Sequence, residues 1–197
     1  ILQTRSGKRT SRAAIKIAVD MAKSGLISTQ ESIKRISPDD LKGLLHKSIA
    51  NPDNFVPVGH GLSAAPGAVS GKIIFDSMEA VIASQKNGGV ILVRPDTDPD
   101  DVPGIAAAEG VLTSRGGLTS HAAIVTRAMG RPCICGASDI KINLESQSFE
   151  ADGQIFYKGD VITIDGNTGN IYKGRLPLVD AELTPELNEF LGWASSF

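Results

Sequence analysis

Apolar positions recur at helical spacing near the start of the chain. Ala14, Ile15, Ala18, Val19 and Ala22 share one face of a helix predicted from Thr10 to Lys23, with Gly25 as its stop. Ser28, followed three residues later by Glu31, makes a capping box for a second short helix reaching about Ile36. Ser37-Pro38-Asp39-Asp40 opens a third. Ser37 suits the cap, Pro38 the first helical position, and the acids face the positive end of the dipole. That helix ends near His46, and residues 1–48 show no strand pattern.

The pattern then changes. Asn51-Pro52-Asp53-Asn54-Phe55-Val56-Pro57 is turn-rich and reads as a linker. From Gly61 onward short apolar runs alternate with helical periods. Strands are predicted at Gly71–Phe75, Val90–Val93, Val111–Thr113, Cys133–Cys135, Ser148–Glu150, Val161–Ile164 and Asn170–Tyr172. Helices are predicted at Ser77–Lys86, Pro99–Ala108 and Thr119–Met129, and a last one at Thr184–Trp193 capped by Thr184. The expected organisation is a helical tail over 1–50, a linker over 51–60, an α/β body over 61–173, and a linker plus helix over 174–197. A compact body held by a linker on each side is the layout of a part that moves.

Composition narrows the classes. The 197-residue chain has a formal net charge of -2, which gives no basic footprint for nucleic acid. No apolar run approaches the roughly 20 residues of a membrane span, and no signal-peptide pattern is present. The two cysteines, Cys133 and Cys135, are too close in sequence to staple a fold, so a reducing, cytoplasmic setting is expected. Aromatics are only 5%, which leaves the core to Val, Ile, Leu and Ala. The chain runs from Ile1 to Phe197 without an initial Met and is expected to be a fragment of something longer.

The segment richest in chemistry is Thr113-Ser114-Arg115-Gly116-Gly117-Leu118-Thr119-Ser120-His121-Ala122-Ala123-Ile124-Val125. A short apolar strand runs into a glycine pair, then hydroxyls, then a helix with His121 in its first turn. Free N–H groups and the positive dipole end favour an anion there. Gly116 and Gly117 leave room for close approach, and Thr119 and Ser120 can orient a ring or hold phosphoryl oxygens. No acid lies between Glu109 and Asp139, whereas Arg115, Arg127 and Arg131 are present. A helix N-terminus disfavours the imidazolium, so His121 is a candidate phosphoryl-accepting nucleophile. The same pattern also suits an inert capped helix. Arg115 either touches phosphate or decorates the loop.

Gly116-Gly117-Leu118-Thr119-Ser120-His121-Ala122-Ala123-Ile124 resembles the signature of enzymes that use phosphoenolpyruvate through a phosphohistidine. Gly61-Leu62-Ser63-Ala64-Ala65-Pro66-Gly67-Ala68-Val69-Ser70-Gly71 resembles the entry to their mobile domain. Leu2 to Thr10, Gly159 to Gly169 and Gly192-Trp193-Ala194 resemble segments of the pyruvate, phosphate dikinase family in particular. Ser6 stands where that family more usually has Asn, Leu118 where Met is frequent, and Arg131-Pro132-Cys133-Ile134-Cys135 replaces the commoner Lys-Cys-Cys pattern.

The resemblance implies a swivelling β/β/α phosphohistidine domain preceded by a small helical segment. It implies that His121 takes a pyrophosphoryl group from ATP, releasing AMP, and passes one phosphate to inorganic phosphate to give pyrophosphate. The other goes to pyruvate to give phosphoenolpyruvate. Gln3 and Arg5 then map to nucleotide contacts, and Thr119 to the regulatory phosphorylation site of plant members. Mg2+ is implied, with ligands in nucleotide and pyruvate domains outside this chain. The resemblance leaves a homodimer open for the full-length protein. The alternatives are a phosphoenolpyruvate synthase domain, which hands the spare phosphate to water, and a non-catalytic module that kept the fold.

The remaining candidates have plainer roles. Cys133 and Cys135 alternate along one strand, share a face and are expected to be buried structural thiols. Asp98 is expected to cap a helix whose start Asp100 and Asp101 favour, and no metal residue is assigned. His46 and His60 have no catalytic setting, and Arg127 is expected to be a surface group.

Overall fold

The computed structural model describes residues 11–86, 88–181 and 183–196. Gln3, Arg5 and Ser6 lie outside the described residues. The chain divides into two compact units, one from residues 1–45 with 181–197, the other from 46–180.

The smaller unit is helical. α1 (Ser11–Lys23), α2 (Thr29–Lys34) and α3 (Pro38–Leu45) are joined by α7 (Pro185–Ala194) from the far end of the chain. Ile15, Ala18 and Val19 of α1 pack with Ile36 and with Leu187 and Phe190 of α7. The period-3.6 stripe of α1 therefore finds its partner some 170 positions away, and Lys16–Glu186 (3.3 Å) rims that seam. Ser28 caps α2 by accepting from the Glu31 amide (3.1 Å), and Thr184 caps α7 by accepting from Leu187 (3.2 Å).

The larger unit has three layers. Its central sheet has eight strands in the order β2-β12-β11-β4-β5-β6-β7-β3. These are β2 (Gly59–His60), β3 (Leu62–Ala65), β4 (Ala68–Ile74), β5 (Val90–Arg94), β6 (Gly110–Thr113), β7 (Cys133–Cys135), β11 (Val161–Asp165) and β12 (Asn170–Lys173). β4 to β7 are mutually parallel, and the outer pairings are antiparallel. The crossovers are α4 (Ser77–Ser84), α5 (Val102–Ala107) and α6 (His121–Ala128). Consecutive parallel strands added in one direction place all crossovers on one face, because such connections are right-handed. A second sheet of β8 (Lys141–Asn143), β9 (Ser148–Ala151) and β10 (Gln154–Tyr157) covers the other face. This is the α/β architecture, with β, β and α layers, that the sequence leads one to expect.

Burial explains the strand sequences. Val90, Ile91, Leu92 and Val93 are all at most 1% exposed, which a run of four consecutive apolar residues requires when both faces are covered. Ile91 and Val93 join Ile73, Leu112, Ile134 and the stacked pair Phe149–Phe156 (centroids 4.9 Å apart) on the sheet side. Val90 and Leu92 join Val111, Ala122, Ala123, Cys133 and Cys135 on the helix side. The alternation is the period of two expected of a strand.

Three short strands lie where the sequence shows turns or helix. β1 (Ser48–Ile49) pairs antiparallel with β13 (Leu178–Val179), and β2 lies in the stretch 51–60. Two-residue strands are too short to show alternation, and the pairing of β1 and β13 is made by residues 130 positions apart. β3 is also absent from the expectation, since Leu62-Ser63-Ala64-Ala65 has low strand propensity and pairs through a register shift.

Truncating Leu112 to Ala removes a side chain that is 0% exposed at the centre of the sheet. The expected cost is about 2–5 kcal/mol, read as a lowered urea midpoint at unchanged m-value.

Candidate active site: the histidine loop

Parallel strands leave their C-terminal ends open for loops, and such ends are where α/β sheets bind ligands. Here the segment 114–120 leaves the end of β6 and lies across the ends of its two neighbours. On the β5 side, the Ser114 and Arg115 amides donate to the carbonyls of Arg94 (3.3 Å) and Pro95 (2.9 Å). On the β7 side, the Arg115 carbonyl accepts from the Gly136 amide (3.2 Å) and from the buried Thr113 hydroxyl (2.7 Å). The loop start is thus pinned by backbone bonds independent of its side chains, and the Arg115 side chain is left exposed.

Gly116 has φ +90°, and a Cβ there would sit 2.9 Å from the Cβ of Ser120. Glycine is required at this position on both counts. Gly117 is different, since nothing lies within 4 Å of where its Cβ would be. It provides open space beside the helix start, and its carbonyl accepts from the Ser120 amide (3.0 Å).

Ser120 is the N-cap of α6, accepting from the Ala123 amide (3.3 Å). His121 is therefore the first helical residue. A side chain here lies beside the amides that a helix leaves unpaired. Its imidazole is half-buried, and Nε2 is shut off from solvent with no hydrogen-bond partner among the described residues. An unpaired buried polar atom costs about 1–3 kcal/mol, so a partner or a new bond at that nitrogen is favoured. Thr119 is exposed beside it. Ala122 and Ala123, both 0% exposed, let α6 sit directly on the sheet.

Two groups not expected at the site support it. Arg127 is exposed, as anticipated for a surface group, and in addition turns back along α6. Its guanidinium donates to the carbonyls of Ala64 (2.9 and 3.2 Å) and Leu118 (3.2 Å), tying the loop to β3. Its spacing from Leu118 carries no sequence signal, because its acceptors are backbone atoms.

Cys133 and Cys135 are fully buried on one face of β7, as their alternation implies, with sulfurs 3.5 Å apart. The Ser120 hydroxyl, besides capping α6, donates to the Cys135 sulfur at 3.6 Å. The hydrogen bond with Cys133 lowers the Cys135 thiol to about 6, with Ser120 and Thr113 adding to the effect against burial. Cys133 is pushed well above the ordinary thiol range by the same bond and by burial. The two titrate as a pair.

The other predicted residues lie apart. Asp98 caps the 3-10 turn at Pro99–Asp101, and Asp101 closes the capping box and pairs with Arg94 (3.4 Å). His60 bonds to Asn170 at the far edge of the sheet (3.0 Å). Among the described residues no group of three or more His, Cys, Asp or Glu is placed to hold a metal ion. No helix among them is long and apolar enough to cross a membrane.

Comparison with known proteins agrees with this geometry. Residues 86–169, which include the whole histidine loop and α6, match the family described as PEP-utilising enzyme, mobile domain. These residues therefore carry a domain similar to the mobile domain of PEP-utilising enzymes. The relatives at high identity are pyruvate, phosphate dikinases. That of Rhizobium meliloti (strain 1021) is 48% identical over 196 residues, covering 100% of this chain and 22% of the relative. That of Clostridium symbiosum is 45% identical, covering 100% and 23%, and that of Entamoeba histolytica is 41% identical, covering 99% and 22%. The chain thus spans about a fifth of the length of these relatives.

Gly116→Ala is expected to destabilise the body and Gly117→Ala to be accommodated, a contrast read by thermal melting. Thiolate absorbance in the ultraviolet should fall as pH drops through about 6, and Cys133→Ala should move that transition upward by removing the largest lowering contact.

Proposed function

We propose that this chain is the phosphoryl-carrying part of a pyruvate, phosphate dikinase, with His121 as the residue that is phosphorylated. The observation that carries the reading is the position of His121 as first residue of α6. It stands behind a Gly-Gly loop pinned across three parallel strand ends, with one ring nitrogen unpartnered. The names and identities of the relatives support it.

In the reaction proposed, His121 attacks the β-phosphorus of ATP, the bond to the α-phosphate oxygen breaks, and AMP leaves. Inorganic phosphate then attacks the outer phosphorus of the pyrophosphohistidine, giving pyrophosphate and a phosphohistidine. Enolised pyruvate finally takes the remaining phosphoryl, giving phosphoenolpyruvate and free imidazole. Each step exchanges one P–O or P–N bond for another, so the loop's task is positioning and charge stabilisation. We assign the holding of phosphoryl oxygens to the N–H groups at Gly116, Gly117 and the start of α6 and to the Thr119 hydroxyl, while Ser120, whose hydroxyl is committed to Ala123 and Cys135, positions the helix start. Arg115 is exposed beside them and is free to swing toward an anion. Thr119, exposed at the same rim, is accessible to a modifying kinase. Gln3 and Arg5 are proposed nucleotide contacts. Mg2+ would neutralise phosphate charge from ligands in segments outside this chain, and the pyruvate site also belongs there.

The ends of the larger unit support carriage. β1 and β13, its entering and leaving segments, are paired side by side. A body attached at a single place can swing as a whole between two stations.

Phosphorus NMR of the full-length protein with ATP, Mg2+ and phosphate should show an acid-labile P–N signal. His121→Asn should abolish it while leaving the circular dichroism spectrum and melting temperature unchanged. A P–N signal that persists in that variant would remove His121 from the reaction.

A further inference from the structure

The 46–180 unit carries a cavity of about 330 Å³ at the end of α6 away from His121. Gly130, Arg131 and Pro132, which follow the helix, form one wall. The eight-residue helix separates them from His121 by roughly 12 Å at 1.5 Å per residue. Residues 66–70, the turn into β4 and its first residues, form another. The third comes from the paired ends of the unit: His46, Lys47, Arg175 and Leu178.

The charges around this cavity are unbalanced. Lys47, Arg131 and Arg175 are cationic, His46 adds an imidazole, and Glu109 is the one acid among its lining residues. Glu109 is already matched by Arg131 (3.6 Å), which also donates to the Ala106 carbonyl (3.0 Å). Lys47 has an exposed partner in Asp180 (3.1 Å), outside the lining. The Arg175 guanidinium and the His46 ring have no hydrogen-bond or ion-pair partner among the described residues. Two of the last carbonyls of α6 are occupied: Arg127 and Thr126 accept from the amides of Gly130 (3.2 Å) and Arg131 (2.8 Å).

The walls are built in place. The Lys47 carbonyl accepts from the Ala68 amide (2.8 Å) and from Asn167 Nδ2 (3.1 Å), while Asn167 Oδ1 accepts from the Gly67 amide (2.9 Å). Gly67 has φ +114°, and a Cβ there would lie 2.9 Å from the Pro132 ring. Glycine is thus what brings the two body walls together. A free guanidinium, whose planar fork matches phosphate oxygens, faces a cavity at the lower end of the usual size for small-ligand sites.

We infer that this cavity is a binding site for a small phosphate-bearing anion. Arg175 is its principal ligand, with Lys47, Arg131 and His46 around it. Such an anion joins the ends of the unit (His46, Lys47, Arg175) to its body (Arg131), so its occupancy stiffens the β1–β13 ribbon. Any effect on carriage of His121 rests on the function proposed above, whereas binding and ribbon stiffening do not.

The test uses the chain carrying His121→Asn, so that no phosphohistidine forms, and the cavity variants separate binding here from binding at the amides of the histidine loop. It is titrated calorimetrically with inorganic phosphate, pyrophosphate and phosphoglycolate in turn, with hydrogen exchange followed at the Ala50 amide, which donates to Pro177 in the ribbon (2.9 Å). Expected are binding of at least one probe with the same affinity as in the unaltered chain, slowed exchange at Ala50, and at least a tenfold loss of affinity in Arg175→Glu. Arg175 is exposed, so that substitution should leave the melting temperature unchanged, and Lys47→Glu provides a second, independent loss. Tighter binding of phosphoglycolate than of phosphate supports the site with a phosphorylated acid as its source. Tighter binding of the inorganic probes supports it with free phosphate or pyrophosphate. Absence of binding by all three at millimolar concentration, binding lost with His121→Asn, or affinity unchanged in both Arg175→Glu and Lys47→Glu would overturn the proposal.

Discussion

Burial of the parallel strands on both faces is the constraint on which the rest of the larger unit depends. Val90 to Val93 expose almost nothing on either side. Such a strand needs a layer above and a layer below. The helices α4, α5 and α6 supply one, and the small sheet around Phe149 and Phe156 supplies the other. With both faces covered, the sheet has only its strand ends left for chemistry. The histidine loop occupies the C-terminal ends, and the cationic cavity lies by the opposite end of α6.

The histidine loop is positioned by groups other than the His121 side chain. Backbone bonds to Arg94, Pro95 and Gly136 hold its start, Gly116 supplies a positive φ, and Ser120 fixes where α6 begins. Once those are set, His121 has a defined place at the helix start. Its Nε2 is left without a hydrogen-bond partner among the described residues. Behind it the Cys133–Cys135 pair reaches Ser120 through a hydroxyl–sulfur contact. The buried thiol pair and the cap of α6 therefore share an atom, the Ser120 hydroxyl oxygen.

Much of this is legible along the chain because it is local. The unbroken apolar run of Val90–Val93, the period of 3.6 in α1, the caps at Ser28, Asp98 and Thr184, and the shared face of Cys133 and Cys135 each depend on residues a few positions apart. What escaped is non-local or made by backbone. β1 and β13 are two residues each and exist only because they meet. Arg127 is the exposed cation that the sequence suggests, but its bonds to the Ala64 and Leu118 carbonyls exist only in the fold. The packing of α7 against α1 cannot be read from either helix, since an apolar stripe states that a partner is needed without naming it.

By itself, then, the sequence determined the α/β character of the larger unit, the helix that begins at the Thr-Ser-His segment, and the candidacy of His121. Those follow from short-range periodicity and from the chemistry of neighbouring residues. Only the tertiary structure decided that the loop bridges three strand ends, that Nε2 has no partner, that Cys135 touches the cap, and that Arg175 faces a cavity with Lys47 and Arg131. Each of these joins residues far apart in sequence. Their distance is set by how the layers pack around the buried sheet, and no local pattern carries that information.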